Sequence, residues 1–307
     1  MISYEHAMEK LPSFLVDMLL KEYGKEETEK IIEGYSSKRK VTFRVNTIKS
    51  SVDLVEKELK ENNIEFEEVL WSKEAFIINE CTEKKIQELD MYQKGEIYLQ
   101  SLSSMLPPIV LNPMEGADIL DMAAAPGGKT TQMAAISNNK ANITACELNP
   151  IRAERLKYNI EKQGATSVYV MVKDARQIDD FFSFDQILLD SPCSGSGTLN
   201  IEDKNLNKYF TKELINKSTK AQLALLKKAI KILKSGHEMI YSTCSILKVE
   251  NEEIVSQILK QSDVELVPIE FDGMENLPIL HTNIDGTICV CPNEYYEGFF
   301  VAKLRKK

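Results

Sequence analysis

From Gly116 onward the chain alternates apolar runs of strand length with longer helical patterns, and that rhythm restricts the fold more than any other feature. Strands are expected at 117–122, 142–148, 167–172, 184–189 and 238–242, with helices at 129–136, 151–163, 218–233 and 249–259. Runs such as Ile119-Leu120 and Gln186-Ile187-Leu188-Leu189 do not alternate with polar residues, as strands buried on both faces of a parallel sheet require. Two more strands, 289–291 and 298–304, fit an antiparallel addition at one edge. The expected fold is therefore α/β, a doubly wound, mostly parallel sheet with an antiparallel edge.

The first hundred or so residues read differently. Phe14, Leu15, Met18, Leu19, Ile31 and Ile32 recur at helical spacing, with Gly24 as a break. Val41 to Asn46 alternates as a strand, Ser51 or Asp53 is placed to cap a helix carrying Leu54, Val55 and Leu59, and short strands follow near 69–71 and 75–78. The chain thus divides into a small α+β unit, residues 1–112, and an α/β unit, residues 113–307.

With 47 acids against 38 bases the net charge is −9, which argues against indiscriminate coating of nucleic acid but permits a local basic groove. Lys38, Arg39, Lys40, Arg44 and Lys49 form an acid-free segment, lysines dominate between Lys204 and Lys234, and the chain ends in Lys303, Arg305, Lys306 and Lys307. Any one of these runs alone reads as a solvated face. No apolar run reaches the roughly 18–20 residues that span a bilayer, and the amino terminus lacks a basic start before an apolar block, so a cytoplasmic protein without a membrane partner is expected. Six cysteines without a C-x-x-C pair point away from a disulfide framework or zinc ribbon. Cys289 and Cys291 share a strand face but lack a third ligand, so no metal is expected. Those two, with Cys81 and Cys146, read as small buried hydrophobes.

In a doubly wound sheet ligands bind beyond the carboxyl ends of the strands. The first strand there runs into Asp121-Met122-Ala123-Ala124-Ala125-Pro126-Gly127-Gly128-Lys129, whose small residues admit a ligand close to the backbone before a helix amino terminus. A Walker loop needs glycine where Ala123 stands, and G-x-G-x-x-G is absent, which disfavours nucleoside triphosphates and dinucleotides. A nucleoside without a phosphate chain remains. Glu147, about 20 residues on, suits both ribose hydroxyls, and Asp174 suits an adenine amine. The set fits S-adenosylmethionine; the competing reading is that both acids only cap the helices after their strands.

The fourth strand runs into Asp190-Ser191-Pro192-Cys193-Ser194-Gly195 and the fifth into Tyr241-Ser242-Thr243-Cys244-Ser245. Two thiols at adjacent strand ends, beside an acid and a methyl donor, point to methylation of cytosine carbon 5. That carbon becomes nucleophilic only after a thiolate adds to carbon 6, with an acid at ring nitrogen 3 stabilising the developing charge.

DMAAAPGGKT, the segment from Glu147 to Arg152, LLDSPCSGSGTL and YSTCS followed by VENEEIV resemble the RsmB/NOP (Sun) family of RNA cytosine-5 methyltransferases. The likeness extends to Arg44-Val45-Asn46-Thr47, to Tyr98-Leu99-Gln100 with Ser103 to Pro107, and to Gly298 to Ala302. It implies a class I methyltransferase sheet with an RNA-recognition-like amino-terminal unit, S-adenosylmethionine as cofactor and RNA as partner, ribosomal RNA favoured and transfer RNA a close second. By resemblance Cys244 is the nucleophile, Cys193 assists product release, Asp190 contacts the cytosine and Lys129 orients it. Cofactor contacts fall on Ala123, Ala124, Ala125, Pro126, Gly127, Gly128, Lys129, Glu147, Arg152, Asp174 and Asp190. The sequence departs from the family at Ala123, where Cys is usual, at Ser191, where Ala is common, and at Cys289, where an Arg often stands. An amino-group methyltransferase would carry Asn/Asp-Pro-Pro-aromatic in place of Asp-Ser-Pro-Cys. A catalytically silent RNA-binding or assembly factor has no need to keep both thiols.

Overall fold

The structure, a computed structural model, describes residues 4–307. The amino-terminal unit opens with α1 (Tyr4–Lys10) and α2 (Ser13–Ser36), the latter broken where Gly24 takes φ 70° and ψ −177°. Next come β1 (Val41–Val45), α3 (Val52–Glu61), β2 (Phe66–Val69), β3 (Ser72–Ile78), the short α4 (Glu83–Gln87) and α5 (Asp90–Gln93), and β4 (Ile97–Leu99). Ser51 caps α3 by accepting from Leu54 N. The strands form an antiparallel sheet in the order β2-β3-β1-β4. Phe43, Val45, Phe76 and Ile78 share a core with Val55 and Leu59 of α3. The expected βαββ order is present, with its last two strands starting earlier than expected and a fourth strand, β4, too short to show a period of two.

Sequence periodicity does not anticipate α6 (Leu102–Leu111), because Pro107 and Pro108 lie inside it. Interior proline removes a helical donor and costs about 3 kcal/mol. Here Gln100 Nε2 donates to Ser104 O at 3.0 Å, the carbonyl that Pro108 leaves without a helical partner. The helix is also buried along most of its length, against α7 and the large sheet.

That sheet is built from β5 (Asp118–Asp121), β6 (Asn142–Glu147), β7 (Val168–Val172), β8 (Phe184–Asp190), β9 (Leu233–Thr243), β10 (Val264–Val267), β11 (Ile288–Val290) and β12 (Phe299–Lys306), with α7 (Gly128–Ile136), α8 (Pro150–Gln163), α9 (Leu206–Tyr209), α10 (Lys212–Ile232) and α11 (Glu252–Gln261) between them. Its order is β10-β12-β9-β8-β5-β6-β7, with β11 on β12. Pairing is parallel from β7 through β9 and antiparallel at β12, β10 and β11. Ile119, Leu188, Ile240 and Val301 enter one core with α6 and α7, while Leu120, Ile187, Leu189 and Met239 enter the other with α2 and α10. Both faces are thus covered, which explains the unbroken apolar runs.

β9 begins five residues before the expected start, its polar opening Lys234-Ser235-Gly236-His237 hiding it, and the four-residue edge strand β10 was not anticipated at all. Asn149 caps α8 through Ile151 N and Arg152 N. Among the described residues no helix is long and apolar enough to cross a membrane. The chain leaves β5 towards β6 and β7 on one side and returns to β8 on the other, so strand order reverses between β5 and β8, and their carboxyl ends open a crevice.

Candidate active site

A cavity of about 330 Å³ occupies that crevice. Asp121 closes β5, Asp190 closes β8 and Cys244 follows β9; all three line it, with Ala123 to Pro126, Gly128 and Lys129 of the β5–α7 loop. Gly127 takes φ +109°, a left-handed conformation that favours glycine.

The acids expected to hold a nucleoside sit along the same rim but outside the lining of this cavity. Glu147 ends β6; its Oε2 accepts from Ala125 N at 3.3 Å and its Oε1 from Asn149 N at 2.9 Å. Arg152 approaches Glu147 at 3.8 Å and donates to Ala125 O at 2.7 Å, tying α8 to the loop. Asp174 accepts from Arg176 N at 2.9 Å and pairs with the Arg176 guanidinium at 2.6 Å, which holds its carboxyl below the ordinary range. Asp174 thus caps the short helical turn that follows it, whereas Glu147 does not cap α8, whose cap is Asn149. The open rim beside the alanine methyls and Gly128 still suits a nucleoside, with Glu147 bonded directly to the loop backbone.

Lys129, from the first turn of α7, reaches Asp190 Oδ2 and Ser104 Oγ at 2.7 Å each and lies 5.4 Å from the Phe299 ring centroid. Burial works against its charge, but Asp190, with Cys244 and Asp121, outweighs that and holds its pKa above the ordinary value. The other oxygen of Asp190 accepts from Ser242 Oγ at 2.9 Å. Asp121 is buried and accepts from Thr130 Oγ1 at 2.7 Å; burial, despite that bond, pushes its carboxyl up to about 6.

Cys193 Sγ and Cys244 Sγ lie 3.2 Å apart. The bond to Cys244 and burial push the Cys193 thiol well above its ordinary range. The two loops are stapled by Glu250, a fully buried carboxylate. It accepts from Ser194 N at 2.7 Å, Ser194 Oγ at 2.5 Å, Ser245 Oγ at 2.6 Å and Gln222 Nε2 at 3.4 Å. Gly197 N donates to Cys244 O at 3.0 Å and Gly298 N to Gly197 O at 2.8 Å; a Cβ on Gly197 would sit 1.9 Å from Gly298 O.

The structure thus brings Ala123 to Pro126, Gly128, Lys129, Asp190 and Cys244 into one cavity, with Cys193 behind Cys244. Tyr98, Gln100, Ser104, Asp121, Glu297 and Phe299 also line it without an assigned role in the sequence reading. Their only signal was membership of quoted motif segments, and Glu297 had none. Glu250 was legible only as one acid of VENEEIV.

Two expectations need correcting. Cys81 is partly exposed in the turn before α4 and is no buried hydrophobe; Cys146, Cys289 and Cys291 are buried, and burial raises each thiol to about 12. Arg44 is no surface cation: it is buried and donates to Gln100 Oε1 at 2.9 Å, Thr131 Oγ1 at 2.7 Å and Gly128 O at 3.1 Å, joining the small sheet to the cofactor loop. Other basic runs are partly spent on ion pairs, Lys228 and Lys231 on Asp180, Lys303 and Arg305 on Glu238. Among the described residues no group of three or more His, Cys, Asp or Glu could hold a metal.

Residues 108–305 match the family described as 16S rRNA methyltransferase RsmB/F, and residues 11–83 match its ferredoxin-like domain. The chain is 36% identical over 276 residues to ribosomal RNA small subunit methyltransferase F of Shewanella sp. (strain ANA-3), covering 86% of this chain and 56% of that protein. It therefore spans little more than half the length of that relative. It is 34% identical over 275 residues to the tRNA (cytosine(49)-C(5))-methyltransferase of Pyrococcus abyssi (strain GE5 / Orsay), covering 86% and 88%. A solved methyltransferase homologue from Pyrococcus horikoshii is similar over the whole of both chains, with 32% identity and a TM-score of 0.85. Matched in both its catalytic and its ferredoxin-like parts, the chain belongs to the RsmB/F methyltransferase family.

Proposed function

We propose that the protein methylates carbon 5 of a cytosine in RNA in the cytoplasm, ribosomal RNA first and transfer RNA second, with residues 1–112 as the RNA-recognition-like unit and 113–307 as the catalytic unit. The observation that carries this reading is the Cys193–Cys244 pair, 3.2 Å apart beside the Lys129–Asp190 ion pair at the mouth of one cavity. An amino-group transfer needs no such thiols. Ribosomal RNA leads because the Shewanella relative acts on it; transfer RNA follows because the Pyrococcus relative matches at nearly the same identity along most of its length.

Ala123 to Lys129, Glu147, Arg152, Asp174 and Asp190 would hold S-adenosylmethionine, which supplies the methyl group to carbon 5. The target base leaves its stack to reach Cys244. Cys244 Sγ bonds to carbon 6, while Asp190, held by Lys129 and Ser242, faces the cytosine and the Lys129 ammonium beside it offsets the negative charge that develops on the ring. After methyl transfer carbon 5 gives its proton to water, the carbon–sulfur bond breaks and the ring regains aromaticity. Cys193, which keeps its proton, is placed to hydrogen-bond the departing sulfur.

Bisulfite sequencing of total RNA from cells with and without the gene tests the assignment. One or more cytosines should lose methylation in the deletion strain. Identical maps, with S-adenosylmethionine binding intact by calorimetry, would favour a silent RNA-binding or assembly factor instead.

A further inference from the structure

A second cavity of about 390 Å³ lies between the small sheet and α8 beside the catalytic one, with Tyr98, Leu99, Gln100, Ser101 and Glu297 lining both. Arg39, Lys40 and Lys162 line it with Tyr92, Tyr98 and Tyr295. Lys162 Nζ sits 3.6 Å from the Tyr92 ring centroid and forms no ion pair with a carboxylate among the described residues; burial and the neighbouring Lys49 lower its pKa, a strain that an anion would relieve. Arg39 likewise meets a backbone carbonyl, that of Tyr296 at 2.6 Å, and no carboxylate within ion-pair distance. Two carboxylates share the space. Glu83 lies on α4, and Glu297, which lines both cavities, accepts from Ser101 Oγ at 2.7 Å, leaving an oxygen for a base amine or a ribose hydroxyl.

Cations without carboxylate partners beside aromatic rings are what an unstacked nucleotide needs. If a cytosine fills the catalytic cavity, the strand continues past its rim, where the second cavity lies. We propose that the second cavity receives the nucleotide adjoining the target cytosine, its base against Tyr92 and its phosphate at Lys162 and Arg39. This inference rests on the RNA methylation proposed above. It assigns the enzyme a second nucleotide subsite, one that holds its base by stacking.

The test uses the full chain. Total RNA from a strain lacking the gene is methylated in vitro and mapped, and a hairpin carrying the mapped cytosine is made intact and with an abasic site at either neighbour. Stacking contributes about 1–3 kcal/mol per base, so one of the two abasic hairpins should lose about 5- to 100-fold in kcat/KM. Tyr92→Ala should show a comparable loss on the intact hairpin and little further loss on that abasic hairpin, Lys162→Gln should lose activity on both because the abasic hairpin keeps the phosphate, and S-adenosylmethionine affinity should be unchanged in either. A Tyr92→Ala loss that multiplies with the abasic loss, or two abasic hairpins methylated as well as the intact one, would overturn the inference while leaving the methylation reading standing. A wild-type protein that methylates no RNA would overturn both.

Discussion

Glu250 offers the sharpest test of how the thiols are aligned. It touches neither the cavity nor a sulfur atom, yet it bonds the residue after Cys193 and the residue after Cys244. In Glu250→Gln the amide nitrogen must replace one carboxylate oxygen. At Oε1 it would face two donors, Ser194 N and Gln222 Nε2; at Oε2 it would force the Ser194 and Ser245 hydroxyls to reverse, although Ser245 Oγ already accepts from Leu247 N at 3.1 Å. Bonds to a charged group contribute ~1.5–3 kcal/mol and neutral ones ~0.5–1.5, so weakening the four bonds costs about 4–6 kcal/mol in all. At ~2.1 cal/mol/K per residue a chain of 307 residues shifts by roughly 1.5 °C per kcal/mol, so the melting temperature should fall by about 6–9 °C. Misplacement of reacting groups by an ångström costs up to about 100-fold, so kcat should fall by about 10- to 100-fold while S-adenosylmethionine affinity holds, the loop from Ala123 to Gly128 lying outside this network. Calorimetry, single-turnover methyl transfer and the iodoacetamide alkylation rate of Cys244 separate these effects. A variant that melts early but transfers methyl groups and alkylates at the wild-type rate would make Glu250 a staple alone and refute its role in positioning.

Three further predictions follow from the same geometry. Cys244→Ala should abolish methyl transfer, whereas Cys193→Ala should accumulate a covalent RNA–protein species seen as a shifted band on a denaturing gel; an active Cys244→Ala protein would overturn the assignment of the attacking sulfur. Hydrogen peroxide should convert Cys244 to a sulfenic acid, which the Cys193 thiol displaces as water, closing the 3.2 Å gap to a bond of ~2.05 Å; activity should then return with dithiothreitol, and loss that dithiothreitol does not reverse would refute the pairing. With the Asp121 carboxyl raised by burial from 3.8 to about 6, the folded chain keeps a proton that the unfolded chain releases, so this group's contribution is present below about pH 4 and lost as pH rises through 6. At 1.36 kcal/mol per pH unit the ceiling is ~3 kcal/mol, and thermal melts of Asp121→Asn should gain on the wild type between pH 4 and 6.5; parallel curves would contradict it.

What the sequence made legible was local. Ile119-Leu120 and Gln186 to Leu189 announce buried parallel strands because both faces of that sheet are covered. The small-residue loop from Ala123 to Gly128 announces a ligand because backbone must be approached closely there. What it concealed depends on partners distant in the chain. α6 keeps the carbonyl freed by Pro108 bonded through the side chain of Gln100 and is buried along most of its length, and a reader of periodicity meets only the prolines. Arg44 has the composition of a surface cation and becomes a buried bolt, since its three acceptors lie 56 to 87 residues away.

The thiol pair shows the same limit at the centre of the chemistry. Asp-Ser-Pro-Cys-Ser and Ser-Thr-Cys-Ser each place a thiol at the end of a buried parallel strand, and nothing in their composition tells which sulfur attacks; the choice of Cys244 was carried by resemblance alone. Three dimensions break the symmetry. Cys244 lines the cavity with Lys129 and Asp190, whereas Cys193 does not line it and is bonded to Cys244 from behind. Burial and that bond raise the Cys193 thiol, so on the proposed reading the sulfur facing the cavity attacks and the one behind it keeps a proton to offer when the carbon–sulfur bond breaks. The proposed division of labour thus rests on which thiol reaches the crevice between β5 and β8, a property of the sheet and its loops that neither motif contains.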